Sequence, residues 1–290
     1  MVTLREPVMA DRFYPGSPGA CRAEVEQYCR LEPADLDAVR RPARGGIVPH
    51  AGWMCSGRVA GRVFAVLQRT ASPQTLVLLG TMHRVRGRVA RLHGDGRWAT
   101  PLGPLDVNSS LAQQILERTD LVVDDPVAHE DEHSLEVQTP FIKHLFPDAS
   151  ILPILMPPVS EAVAIGQSIG DAIVANGQET LVIGSTDLTH YGPAYGFVPR
   201  GPADEGYNWA RDVNDLRLLD PMLHFRPEEV VPEAVEHHNA CGPGAIAATM
   251  AAVERLGATA AALLVHTTSR EVLGDRSFGG AVGYAGIVYS

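Results

Sequence analysis

The chain has 290 residues, 45% of them hydrophobic, which is ample for a buried core and too apolar for disorder. With 24 Lys and Arg against 34 Asp and Glu, a formal net charge of −10 and no basic cluster, it excludes a nucleic-acid or anionic-membrane binder. Its four cysteines, Cys21, Cys29, Cys55 and Cys241, form no C-x-x-C pair; no apolar run reaches the roughly 18 residues a bilayer span needs, and no signal-like leader precedes Arg12, so a soluble, reduced, cytoplasmic protein is expected.

Ser17 followed by Pro18 opens a helix over GACRAEVEQYCRL that ends before Pro33. Arg44 to His50, RGGIVPH, suits the end of a buried strand, with His50 on the loop after it. Ser56 to Gln68 places Val59, Val63, Val66 and Leu67 on one helical face; Thr75 to Gly80 is a buried strand, and His83 follows it. Ser109 to Arg118 is a helix, Ser150 to Met156 a strand interrupted by Pro153, and Ser160 to Asn176 a helix with Val163, Ile165, Ile169, Ile173 and Val174 inward. Thr180 to Gly184 is the next strand, and STDLTHY puts Asp187 and His190 on the loop or first helical turn behind it. Ala203 to Leu219 and Gly242 to Leu256 are expected helices, Ala261 to His266 and Gly279 to Tyr289 strands, and Pro193 to Gly206 a loop suited to a mobile lid.

No linker or repeat divides the chain, so residues 1–290 are expected to form a single domain. Alternating strands and helices predict an α/β fold with a central, mainly parallel sheet flanked by helices. Ligands gather at the carboxyl ends of such strands, where His50, His83, Asp187 and His190 all fall.

Ala128 to Gln138, AHEDEHSLEVQ, crowds histidines and carboxylates into one short stretch. Such a run often marks a solvated helix start, where acidic side chains meet the positive end of the dipole. A helix is expected to begin near Ser134 and run through Leu135, Phe141, Ile142 and Leu145, bent at Pro140, with His133 facing the cleft.

Two imidazoles from separate strand ends plus one anionic ligand suit a divalent metal with open positions, iron for oxygen chemistry or zinc for hydrolysis. Cys241 in ACGPG starts a helix, a setting that favours thiolate. Taken singly, each residue has an ordinary use: His50 and His83 as loop residues, Cys241 as a small buried side chain, Asp187 as a cap. His93, His144, His224, His237, His238 and His266 occupy no convergent position.

Read in order, REPVMADRFYPG, GGIVPHAGWMCSGRVA, LLGTMH, TPLGPLDVN, EDEHSLEVQTPF, ILPI, STDLTHY, ACGPGAI and GDRSFGGAVGYAG resemble the Memo family, from Arg5 to Gly286. That resemblance implies the fold of the class III extradiol ring-cleaving dioxygenases. It implies metal binding by His50, His83 and Cys241, with Asp187 and His190 beside the metal, His190 as acid or base, and His133 lining the oxygen and substrate pocket. The chain departs from the family at Met82, where Asn or Ser is usual, at Trp53, where Tyr is usual, and at Ala245, where Pro is usual. A thiolate where the dioxygenases use a carboxylate alters the electronics of iron.

The leading expectation is a mononuclear non-haem Fe(II) protein, with copper as the second metal, that acts with O2 on a small chelating phenolic or amino/hydroxy substrate. Glu132 would fix an imidazole tautomer from behind, Asp187 would orient His190, and Trp53, Tyr191, Tyr195 and Arg12 would line the pocket. A non-catalytic metal- or peptide-binding scaffold is the alternative, although the acidic charge disfavours phosphopeptide capture. The third is a cysteine hydrolase using Cys241, His190 and Asp187. A homodimer is the expected assembly.

Overall fold

Four short, branched, apolar runs form the middle of the sheet, and each is buried over almost its whole length. In a computed structural model, which describes residues 3–84, 87–274 and 279–290, the strands Gly45–Val48, Thr180–Ser185, Thr75–Thr81 and Ser150–Met156 lie side by side in that order, all parallel. The GDRSF part of the last motif lies partly outside the described residues. The sheet is parallel at its centre and antiparallel on its flanks. Ala281–Tyr289 runs antiparallel beside Gly45–Val48 and also pairs antiparallel with Ala261–Thr268 and with His190–Tyr191, while Ala90–Leu92 runs antiparallel beside Ser150–Met156.

Helices cover both faces. Gly45 and Gly46 show how closely: a Cβ at Gly45 would meet Val253 of the helix Pro243–Arg255, and one at Gly46 would meet Val63 of the helix Trp53–Thr70. Successive strand residues point to opposite faces, so the two glycines let both helices approach the sheet. Pro243–Arg255 packs on Ala162–Asn176, and Trp53–Thr70 on Pro18–Tyr28 and Thr139–Leu145. Among the described residues no helix is long and apolar enough to cross a membrane.

Several expectations need correction. Pro153 does not interrupt its strand: it sits opposite Leu78 in an unbroken ladder, and its carbonyl accepts the His93 N–H. The missing donor therefore faces the side where Ala90–Leu92 is already ending, a position a proline tolerates. Pro140 does not bend a helix; it lies in the first turn of Thr139–Leu145, where its N–H would have had no partner. Val174 points outward and is exposed. His190 begins a two-residue strand, not a helical turn. Asp204–Trp209 continues through a π-turn at Ala210–Asn214 into Asp215–Leu223, and Pro227–His237 is a further helix that composition did not announce.

The N-terminal segment is tied to the charge-rich stretch by one buried carboxylate. Glu136 accepts from Arg5 Nη1 at 2.9 Å, Tyr14 Oη at 2.8 Å, Val8 N at 3.0 Å and Met9 N at 2.7 Å. It is fully buried, and so is not the solvated helix-start residue expected above. Arg5 also donates to the carbonyls of His129 and Glu132 and lies 4.2 Å from the Trp98 ring centre. Trp98 Nε1 donates to His93, and the neighbouring His129 donates its Nε2–H to the Arg91 carbonyl.

Removing one partner of a buried ion pair strands the other charge. Glu136→Ala is therefore expected to lose about 3–5 kcal/mol of stability, and Arg5→Met/Glu136→Leu clearly less than the sum of its two single changes; urea unfolding measures both.

Burial holds the His129 pKa down at about 3 from 6.5, with His93 adding to the depression. The native state thus refuses a proton that the unfolded chain takes up. Its stability contribution is intact above pH 6.5 and declines by about 1.4 kcal/mol per pH unit below it, down toward the native pKa. His129→Gln should flatten the acid limb of a urea-midpoint series.

Candidate functional site

Three parallel strands end side by side, and the loop after each carries one part of the site. Val48 leads to His50, Thr81 to His83, and Ser185 to Asp187 and His190. Cys241 arrives from the opposite direction, one residue before Gly242, the N-cap of Pro243–Arg255. His133 comes from the turn ahead of Glu136–Gln138.

His50, His83 and His133 each offer a ring nitrogen, and these atoms lie within 4.8 Å of one another. The His83 and His133 rings are stacked with centres 4.6 Å apart, and His50 meets both edge-on at 5.2 and 5.4 Å. Cys241 Sγ stands 3.2 Å from His50 Nε2. The structure thus brings together His50, His83, His133 and Cys241.

The tautomers follow from the partners. Ser185 Oγ donates to the Ser134 carbonyl at 2.7 Å, so at 3.0 Å it accepts the Nδ1–H of His50. Glu132 holds His83 Nδ1 at 3.0 Å and accepts the backbone N–H of Ser134 and of His83. Both histidines therefore present an unprotonated Nε2 when neutral, the form in which a carboxylate or hydroxyl behind an imidazole readies it for a metal. Cys241 Sγ accepts the Asp187 N–H at 3.2 Å.

The charges are strongly coupled. Burial opposes a proton on His83, but hydrogen bonds to Cys241 and Glu132 outweigh it and raise its pKa. Burial would raise that of Glu132, yet His83 and the Ser134 N–H lower it. Burial and the positive charge of His50 and His83 push His133 down to about 4, so its ring is neutral near pH 7.

His190 donates Nδ1–H to the Leu188 carbonyl at 3.1 Å, which leaves Nε2 as its acceptor; burial lowers its pKa. Its orientation comes from that carbonyl. Asp187 instead accepts the backbone N–H of His50 at 2.8 Å and acts on His190 through its charge. The expected triad of Cys241, His190 and Asp187 is consequently replaced by contacts of Cys241 and Asp187 with His50.

Two expected wall residues lie elsewhere. Trp53 is buried in the core, donating Nε1–H to the Val137 carbonyl at 3.0 Å and packing 4.4 Å from the Phe141 ring. Tyr191, also buried, donates to the Gly201 carbonyl and accepts from Arg200 N, anchoring the segment expected to form a lid. Tyr195 packs edge-on to His190 at 5.1 Å, while Arg12 is exposed. Phe13 packs edge-on to His133, with the ring centres 5.2 Å apart. Phe13, Ser185 and Ser134 were not foreseen; the only local sign of Phe13 was its place in the RFYPG motif.

The Memo-like protein family matches residues 5–288. This chain belongs to the Memo family. Among its Memo-family relatives, the MEMO1 family protein of Pyrococcus horikoshii is 35% identical over 98% of each chain, and that of Thermococcus kodakarensis 37% identical over 99% of each. A solved structure of an uncharacterised Escherichia coli protein shares the fold with a TM-score of 0.54 at 13% identity, covering 80% of this Memo-family chain and 92% of that one.

If Ser185 sets the tautomer, 15N-detected NMR of the metal-free protein should show His50 protonated on Nδ1 whenever it is neutral. Ser185→Ala should weaken Zn(II) binding in a competition titration by about 10-fold or more; unchanged affinity would refute the role given to the hydroxyl.

Proposed function

We propose that the protein binds a single transition-metal ion through His50, His83 and Cys241, Fe(II) first and copper second, and acts as an O2-dependent oxidoreductase on a small chelating substrate with phenolic, amino or hydroxyl groups. The observation that supports it most is that two imidazoles committed at Nδ1 to Ser185 and Glu132 stand ring to ring, and that Nε2 of one of them, His50, lies 3.2 Å from a thiol. Two neutral nitrogens and a thiolate suit iron, copper or zinc. Bound there, the metal would supply Lewis acidity and one-electron chemistry toward O2.

The other functions belong to the chain. His190 Nε2 accepts a proton from a substrate hydroxyl, and the charge of nearby Asp187 favours the imidazolium that forms. His133, neutral and stacked on His83, offers a hydrogen-bonding edge to a small ligand, with Phe13 shielding its flank from water. Glu132 keeps His83 oriented throughout.

The 3.2 Å contact between Cys241 and His50 also favours a second reading, a metal-free thiol hydrolase with His50 as the base. Anaerobic purification with elemental analysis separates the two. Stoichiometric iron or copper is expected, with content falling at least about 10-fold in His50→Ala and Cys241→Ser. O2 uptake with catechols or aminophenols should accompany metal content and vanish with chelator. Metal retention without uptake would leave a binding protein; no retained metal, with Cys241 alkylation indifferent to added metal, would sink the proposal.

A further inference from the structure

Behind the loops that carry His190 and Cys241 lies a buried polar node that the chemistry above does not use. The helix beginning at Asp204 widens into the π-turn Ala210–Asn214 before resuming at Asp215, and such turns recur at functional sites. At its exit Asn214 and Asp215 are 0% and 1% exposed. Asp215 Oδ1 accepts the Thr189 N–H at 3.0 Å, and its Oδ2 is 3.0 Å from His266 Nε2. Asn214 Nδ2 donates to Thr189 Oγ1 at 3.1 Å and to the His237 carbonyl at 3.0 Å, while the Asn214 carbonyl accepts from Asn239 Nδ2 at 3.0 Å.

Thr189 immediately precedes His190, and Asn239 stands two places before Cys241. One pair of consecutive residues therefore holds both loops from behind. In front, the same loops bond directly: Cys241 N–H to the Asp187 carbonyl and Asp187 N–H to Cys241 Sγ, each at 3.2 Å. Even the sheet makes room, because a Cβ at Gly283 would overlap the Asp215 carboxylate.

Stability alone does not account for this choice. Buried polar groups can often be exchanged for apolar ones of equal volume without loss, and the amide oxygens of Asn214 and Asn239 lack partners among the described residues. What the node does join is the residue before an imidazole and the segment before a thiol, drawn from distant parts of the chain.

We propose that Asn214 and Asp215 are positioning residues that lock the Cys241 loop to the His190 loop, and so set the affinity of the thiolate-containing site and the aim of its proton acceptor. The consequence for affinity rests on Cys241 being a ligand, as proposed above. Asp215→Leu deletes the acceptors at similar volume, whereas Asp215→Asn keeps an amide oxygen for the Thr189 N–H.

Hydrogen exchange of the metal-free protein, read by mass spectrometry, should show residues 186–191 and 239–242 exchanging about 10-fold faster in Asp215→Leu, with Thr75–Thr81 and Ser150–Met156 unchanged. Co(II) titration of the same variant should show affinity reduced about 10- to 100-fold and weaker thiolate-to-Co(II) absorption, both largely restored in Asp215→Asn. Asp35→Asn, which disturbs a buried carboxylate paired with Arg62 instead, should lower Tm without either effect. Unchanged Co(II) affinity and absorption, or faster exchange spread evenly through the sheet, would overturn the proposal. Should the native protein take up no Co(II), the metal assignment fails by itself, and the exchange data still decide whether the node locks the loops.

Discussion

A single buried carboxylate organises the front of this molecule. Glu136 sits out of water with its negative charge met by Arg5, a tyrosine hydroxyl and two backbone N–H groups, all supplied by residues 5–14. A charge in that position tolerates little displacement, since any lost partner leaves desolvation uncompensated. The N-terminal segment is accordingly laid against the 128–138 stretch, and Phe13 is delivered to the edge of His133. Arg5 extends the same clamp to the carbonyl of Glu132, whose carboxylate faces the other way and orients His83. Crowded acidic residues thus do not repel one another in one place: Glu136 faces the core, Glu132 the imidazoles, and Asp131 the solvent, beside Arg84.

The site is built on two scales. Parallel strands bring loops from separate parts of the chain to one edge, which is coarse positioning by topology. Hydrogen bonds behind His50 and His83 then decide which of their nitrogens carries a proton, and that finer choice gives the pair its chemical character.

The coarse level was legible in the sequence, because a buried strand is a local apolar run and its end can be read without knowing its neighbours. His50, His83, Asp187 and His190 were found that way, and Cys241 by its place before a Gly-Pro helix start. The finer level was not. Trp53 was expected in the pocket, but the orientation of a ring at a helix start depends on what it packs against, here Phe141. Glu136 looked like an ordinary helix-start carboxylate because its cation lies 131 positions away. Pro153 looked like a break because nothing local shows that the adjoining strand ends beside it. The ligand set that spacing alone left open came only as what the resemblance implies, and the family match over residues 5–288 shows the membership.

The thiol also has a place in time. Protein synthesis releases the imidazoles at positions 50, 83 and 133 well before position 241, and the strand Ala281–Tyr289 that flanks Gly45–Val48 comes last of all. A partly made chain can therefore expose histidines to the surrounding metal pool without the sulfur and without the completed sheet that spaces them. On the metal-binding role proposed above, loading would be a task for the finished protein, and a variant that folds slowly would meet competing metals before Cys241 is in place.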